Sequence, residues 1–145
     1  MIFDQNNKII LLCAEGMLKE SEGKHQEASQ LFMYAWEKSE NNFEKFISAH
    51  YVARQQKTIE DKLKWDEISL DLALKIDDKN TRQSYPSLYL NVAKCHEDLN
   101  NKSEALKHYE LAATYAEKIP DDGYGNKIKD GINAGISRMK NNQTS

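Results

Sequence analysis

The sequence predicts an all-α fold of about seven helices, and three observations lead to that prediction. Apolar residues recur at spacings of three and four along most of the chain, which is the period of one helix face. Prolines are nearly absent, with only Pro86 and Pro120 present, and alternating β-branched runs are hard to find. A five-position pattern also recurs within the chain, which indicates a repeated structural unit.

The first four helices are predicted over residues 8–22, 24–39, 42–56 and 59–76. Gly23 is suited to the left-handed residue that ends a helix. The pair Asn41-Asn42 and Thr58 are predicted N-caps, because their side chains can accept hydrogen bonds from the first helical turn. The fourth helix carries apolar residues over so much of its circumference that we expect it to be buried on two sides.

Three further helices are predicted over residues 84–100, 102–119 and 124–140. Residues 77–80, of sequence Asp-Asp-Lys-Asn, are predicted to form a polar loop before the first of them. Asn100-Asn101 is suited to end that helix, since asparagine tolerates the left-handed conformation. Pro120 ends the next helix, and Asp121 or Asp122 is expected to cap the last one.

The stretch DDGYGNKIKDGINAG, residues 121–135, holds four of the six glycines. It follows a predicted helix and opens with two acids, whereas phosphate-binding loops place glycines between a strand and a helix. Gly131 and Gly135 lie one turn apart beside the apolar series Ile128, Ile132 and Ile136. We therefore predict a closing helix whose glycines permit a close crossing over the sixth helix, with Gly123–Gly125 as the preceding turn.

The repeat appears when the sequence is shifted so that Leu12 falls on Tyr89, an offset of 77 residues. Five positions then keep their chemical type, in the order large, small, small, aromatic, small. The aligned pairs are Leu12 and Tyr89, Gly16 and Ala93, Ala28 and Ala105, Phe32 and Tyr109, and Ala35 and Ala112. Small residues on two antiparallel helices let the backbones approach, and the large ones fill the space around that contact.

This pattern resembles the tetratricopeptide repeat, most clearly in AEGMLKESEGKHQEASQLFMYAWE and YLNVAKCHEDLNNKSEALKHYELA. The offset spans two repeats, so a third hairpin is expected between them. Leu70 and Ala73 lie 38 residues after Phe32 and Ala35, and Ala53 is the best candidate for the first small position. Asp66 replaces an expected alanine, so we expect this middle hairpin to pack less tightly or in another register.

The resemblance implies a right-handed α-solenoid of three hairpins, over 8–39, 42–76 and 84–119, closed by a capping helix over 124–140. The segments HYVARQQ, LKWDEISLDLA and YPSLYLNVAKCHEDL are also similar to small stand-alone bacterial tetratricopeptide proteins without settled function. The whole chain, 1–145, is expected to form one domain.

The resemblance also implies a concave groove lined by the first helix of each hairpin. Its predicted lining residues are Cys13, Met17, Glu20, His50, Tyr51, Arg54, Leu90, Asn91, Lys94 and Asp98. We expect the groove to bind a protein or peptide segment, which makes the chain a scaffold or adaptor. Chaperone-binding relatives use lysine and asparagine where Cys13 and Met17 stand here, so chaperone-tail binding is not expected.

Two other functions stay open at this point. Arg54, Asn91 and Lys94 could together bind a carboxylate or phosphate, which would make the chain a sensor of a small anionic ligand. Alternatively, the end helices could pair between two chains, which would make it a self-associating structural module and a homodimer. A polar groove that is merely solvated is the simplest alternative to ligand binding there.

Composition argues against several other classes. The net charge of −3 is evenly spread, so nucleic acid is not an expected partner, and no apolar run approaches a membrane span. The start of the chain does not resemble a secretory signal, and two distant cysteines fit a reducing compartment, so we expect a cytoplasmic protein. Neither a metal-ligand set, nor a catalytic residue, nor a cofactor loop is recognised, and no enzyme is predicted.

Overall fold

The computed structural model describes residues 6–142, and those residues are all-α. Seven helices of 13 to 20 residues and one helix of four residues follow one another along this part of the chain. The helices are α1 (Lys8–Ser21), α2 (His25–Lys38), α3 (Asn42–Arg54), α4 (Ile59–Leu74), α5 (Lys79–Arg82), α6 (Tyr85–Asp98), α7 (Lys102–Ala116) and α8 (Gly123–Asn142). The prediction of an all-α fold with about seven helices is therefore confirmed.

Sequential helices pack as antiparallel pairs, and the described residues fall into two compact units. The first unit runs to Ile76 and contains the pairs α1–α2 and α3–α4. Within it, α3 also contacts both α2 and α1. The second unit begins at Asp77 and contains the pair α6–α7, against which α8 packs. None of the helices within residues 6–142 has the length and apolar character that a bilayer crossing requires.

The helix ends follow the predicted capping residues. Gly23 and Asn100 have positive φ angles of 78° and 62°, as a left-handed C-terminal residue requires. The Asn41 side chain accepts a hydrogen bond from the Glu44 N–H at 2.9 Å, and Thr58 Oγ1 accepts one from the Asp61 N–H at 3.1 Å. Local side-chain chemistry therefore determines where these helices begin and end.

Two local predictions were wrong. The segment predicted as a polar loop, residues 77–80, includes the first two residues of α5, because the Asp78 side chain accepts a hydrogen bond from the Thr81 N–H at 2.7 Å and caps one helical turn. Gly123–Gly125 is not a turn but the first turn of α8. Asp122 Oδ1 accepts from the Gly125 N–H at 2.7 Å, so the chain turns before Gly123.

The core of the first unit is built around the Phe32 ring, which packs against the backbone of α1. Phe32 of α2 is fully buried, and a Cβ placed on Gly16 of α1 would lie 2.3 Å from its ring. Phe32 packs with Ala28 and Val52, and this cluster is surrounded by Met33, Trp36, Tyr51 and Trp65. The close approach of the Phe32 ring to the Gly16 backbone is thus the central contact of this unit.

The middle hairpin, α3–α4, buries a charged residue where its counterparts have alanine. Asp66 is only 3% exposed, and its carboxylate accepts a hydrogen bond from Lys62 Nζ at 2.6 Å. Ser69 Oγ, one turn further along α4, donates to the Phe46 carbonyl of α3 at 2.9 Å. Ala53 and Ala73 are fully buried, so small residues still line this hairpin.

A polar network anchors α8 to the second unit. The hydroxyl of buried Tyr109 donates to Glu97 Oε1 at 2.6 Å. Arg138 of α8 donates to both oxygens of the same carboxylate, at 2.7 and 3.0 Å. The hydrogen bond from Arg138 holds the pKa of Glu97 below its usual range, so the carboxylate stays ionised and α6, α7 and α8 remain linked.

Of the two glycines within α8, only Gly135 makes a close approach. A Cβ on Gly135 would lie 2.3 Å from Tyr109 Cε1, so this position accepts no larger residue without movement of a buried ring. A Cβ on Gly131 would meet only Leu90 Cδ2, at an ordinary 3.6 Å. The predicted close crossing over the sixth long helix, α7, is therefore confirmed at Gly135 and has no counterpart at Gly131.

We predict opposite effects of the same substitution at these two glycines. Gly135→Ala should lower the free energy of unfolding by about 1–3 kcal/mol, because the buried Tyr109 ring must move. Gly131→Ala should raise it by up to about 1 kcal/mol, because alanine favours the helix and finds room. Urea unfolding followed by circular dichroism measures both, and equal effects at the two sites would contradict the assigned contact.

Candidate functional site

The predicted groove residues of the first unit lie on adjacent turns of α1 and α3. We define the α1–α3 face as Met17, Glu20, His50, Tyr51 and Arg54. Arg54 Nη2 lies 3.0 Å from Glu20 Oε1, and Gln55 Nε2 donates to the other carboxylate oxygen. This ion pair joins residues that are 34 positions apart in the sequence, so it fixes α1 against α3.

Aromatic stacking holds the centre of the α1–α3 face in place. The Tyr51 ring stacks on Phe32 with a centroid distance of 5.2 Å and an interplanar angle of 24°. The Arg54 guanidinium lies 5.5 Å from the Tyr51 ring centroid, within cation–π range. Because Phe32 itself is fixed against Gly16, the position of Arg54 depends on the packing beneath it.

The edge of the α1–α3 face offers an apolar side chain. Met17 lies one turn before Glu20 on α1 and is 40% exposed. Methionine is flexible and polarizable, and such side chains adapt to different apolar partners. In contrast, Cys13 is only 2% exposed, and burial raises the pKa of its thiol to about 12. Cys13 is therefore a core residue of α1 and does not line an open surface.

His50 lies on the α1–α3 face with part of its ring buried. Its ring contacts Tyr51 edge to face at 5.0 Å, and among the described residues its buried Nδ1 has no hydrogen-bond partner. Burial lowers the pKa of His50 below the ordinary value. Asp66 and Glu20 oppose this shift, whereas Arg54 and Lys62 add to it. The imidazole is consequently neutral at pH 7.

The predicted groove residues of the second unit differ in their packing and exposure. Leu90 packs against the cluster of Ala93, Ala105, Tyr109 and Met139, and α8 lies over it. Asn91 is partly buried, whereas Lys94 and Asp98 are exposed. The positive charge of Lys94 helps to lower the pKa of Glu97. Leu90 is thus a packing residue between α6 and α8, and Lys94 contributes to the charge balance around Glu97.

The three residues of the predicted anion site are distributed over both units. Arg54 belongs to the first unit, whereas Asn91 and Lys94 belong to the second. Within the first unit the guanidinium already faces the carboxylate of Glu20. A protein carboxylate thus occupies the position that a bound anion would take at Arg54.

Sequence reasoning did not find a basic cleft in the second unit. The cleft has a volume of about 500 Å³ and is lined by Lys79, Arg82, Lys118 and the apolar side chains of Tyr115 and Ile119. Its positive charge is reduced, because Arg82 pairs with Asp77 and Glu117 also lines the wall. The cleft depends on α5, the helix that the sequence did not predict.

Comparisons with known proteins provide no relative for this chain. No family model matches it, and neither a curated protein nor a solved structure shows significant similarity.

The lowered pKa of His50 predicts that stability depends on pH. Its pKa is lower in the folded chain than in the unfolded one, where it is about 6.5, so acidification protonates the unfolded chain first. The free energy of unfolding should therefore fall as the pH drops below about 6.5, by at most about 1.4 kcal/mol per pH unit from this group.

His50→Gln, which cannot titrate, should remove this part of the pH dependence. Urea unfolding of both proteins between pH 7.5 and 5 measures the difference. His25→Gln is the matched control, since His25 is an exposed residue of α2. If the free energy of unfolding depends on pH in the same way in the wild type and in His50→Gln, His50 is not desolvated.

Proposed function

We propose that this chain is a tetratricopeptide-like scaffold that binds a peptide or protein segment on its α1–α3 face. The observation that carries the proposal is that α1 contacts α3 as well as its hairpin partner α2. The first helices of two successive hairpins then lie side by side, as they do in a stack of such repeats. This contact and the aligned small and aromatic residues support the finer proposal of a right-handed solenoid.

The chemistry of the α1–α3 face suits an extended peptide. Met17 offers an exposed apolar side chain, Tyr51 a half-buried aromatic ring, and Arg54 a partly exposed guanidinium. Arginine and aromatic residues are enriched where protein interfaces gain most of their binding energy. We expect the partner to place an apolar side chain against Met17 and Tyr51 and a polar backbone group near Arg54.

The setting of Arg54 favours a peptide over a small anion. A free carboxylate or phosphate at Arg54 would have to displace Glu20, whose side chain is only 13% exposed. Leaving a largely buried carboxylate without its cation is unfavourable. A peptide that binds next to the Glu20–Arg54 pair keeps that pair intact.

The test compares two neighbouring residues of α1. A peptide selected on the purified protein from a displayed random library would be labelled, and its dissociation constant measured by fluorescence anisotropy. Met17→Ser should weaken binding about 5- to 30-fold, the range for loss of one well-packed interface side chain. Leu18→Ser is the matched control, since Leu18 is 56% exposed but points about 100° away.

Binding that responds to Leu18→Ser and not to Met17→Ser would refute the proposed face. Arg54→Ala is a less specific variant, because it also removes the partner of Glu20 and should reduce stability along with binding. A dimer in analytical ultracentrifugation that Leu18→Ser dissociates, with no peptide selected, would support the self-associating module instead.

A further inference from the structure

Two histidines and a glutamate meet at the closed end of the α6–α7 hairpin. His96 lies in the last turn of α6, whereas Glu104 and His108 lie one turn apart at the start of α7. The rings of His96 and His108 are 5.2 Å apart between centroids, tilted by 35°. One ligand atom from each of the three side chains lies within 4.8 Å of the other two.

We propose that His96, Glu104 and His108 form a binding site for a divalent transition-metal ion, with Zn²⁺ as the expected occupant. Two imidazole nitrogens and one carboxylate oxygen are a donor set that zinc sites use, with a water molecule in the fourth position. Imidazole ligands favour Zn²⁺, Co²⁺, Ni²⁺ and Cu²⁺ over Mg²⁺, which prefers oxygen donors.

The hydrogen bonding of His108 prepares it as a ligand. Its Nδ1 lies 2.8 Å from the backbone carbonyl oxygen of Glu104, a distance at which Nδ1–H donates to that oxygen. A histidine that donates from Nδ1 keeps its lone pair on Nε2. Such a backbone hydrogen bond commonly fixes the ring orientation and tautomer of metal-binding histidines.

The site is partly preformed and needs only small movements. Ligand atoms at about 2.0–2.1 Å from a tetrahedral Zn²⁺ ion are separated by about 3.4 Å. The ligand atoms of this cluster lie within 4.8 Å of one another, so they must approach by up to about 1.4 Å. His96 is 9% exposed and the His108 side chain 16%, so the α6–α7 packing holds both rings. The Glu104 side chain is 43% exposed and can rotate toward the ion.

A bound ion would have a structural effect. The turn between α6 and α7 passes through Asn100, whose φ is 62°, and the ion would link the helices on either side of it. Because binding needs the folded hairpin, the ion would stabilise the folded chain.

Zinc binding to the untagged, chelator-treated full chain tests the proposal. Competition with a chromophoric chelator should give one Zn²⁺ per chain with a micromolar or lower dissociation constant, and a Mg²⁺ excess should not displace it. Glu104→Gln and His108→Gln should each weaken Zn²⁺ binding at least 10-fold, whereas His25→Gln, at an exposed histidine, should leave it unchanged.

Thermal unfolding supplies a second readout in the same proteins. Zn²⁺ should raise the melting temperature of the wild type and of His25→Gln by several degrees, and that of Glu104→Gln by much less. Glu104 is half exposed, so this variant keeps its fold without metal, which circular dichroism checks. Wild-type binding weaker than about 100 μM, or equal binding by Glu104→Gln and His108→Gln, would overturn the proposed site.

Discussion

The fold of each unit depends on a large aromatic ring packed against a backbone that carries no Cβ. In the first unit Phe32 occupies the space beside Gly16, and in the second Tyr109 occupies the space beside Gly135. Both rings are fully buried and occupy equivalent positions of the sequence repeat. The two glycines lie on different sides of their rings in the sequence. Gly16 is in α1, the helix before that of Phe32, whereas Gly135 is in α8, the helix after that of Tyr109.

In each unit, contacts with the buried ring position charged side chains at the surface. Tyr51 stacks on Phe32, the Arg54 guanidinium lies over Tyr51, and Glu20 pairs with that guanidinium. In the second unit the Tyr109 hydroxyl and Arg138 share the Glu97 carboxylate. An aromatic core contact thus fixes a charged group at the surface in both cases. The proposed binding face uses the first of these chains of contacts.

The sequence predicted well those features that depend on interactions between residues close together in the chain. Hydrophobic periodicity and the capping side chains of Asn41 and Thr58 gave the long helices nearly to their ends, since both depend on residues within one or two turns. The repeat also predicted the burial of Phe32 and Tyr109. The short α5 was missed because Asp78 begins only one turn, which has no apolar period to reveal it.

Contacts between polar side chains on different helices could not be predicted from the sequence. The pairing of Glu20 with Arg54 depends on how two helices lie side by side, and nothing in their 34-residue separation indicates it. The same limit hid the cluster of His96, Glu104 and His108, because His96 and His108 are twelve positions apart and meet only through the left-handed turn at Asn100. His50 could be placed on a helix face, but the burial of its Nδ1 atom could not be predicted.

The most direct measurement of the central contact is a double-mutant cycle between Gly16 and Phe32. Gly16→Ala should destabilise the wild type by about 1–3 kcal/mol, because the new methyl group meets the buried ring. In a Phe32→Leu background the ring is gone, and the same substitution should have little effect. A coupling free energy above about 1 kcal/mol in urea unfolding would support the account, whereas additive effects would contradict it.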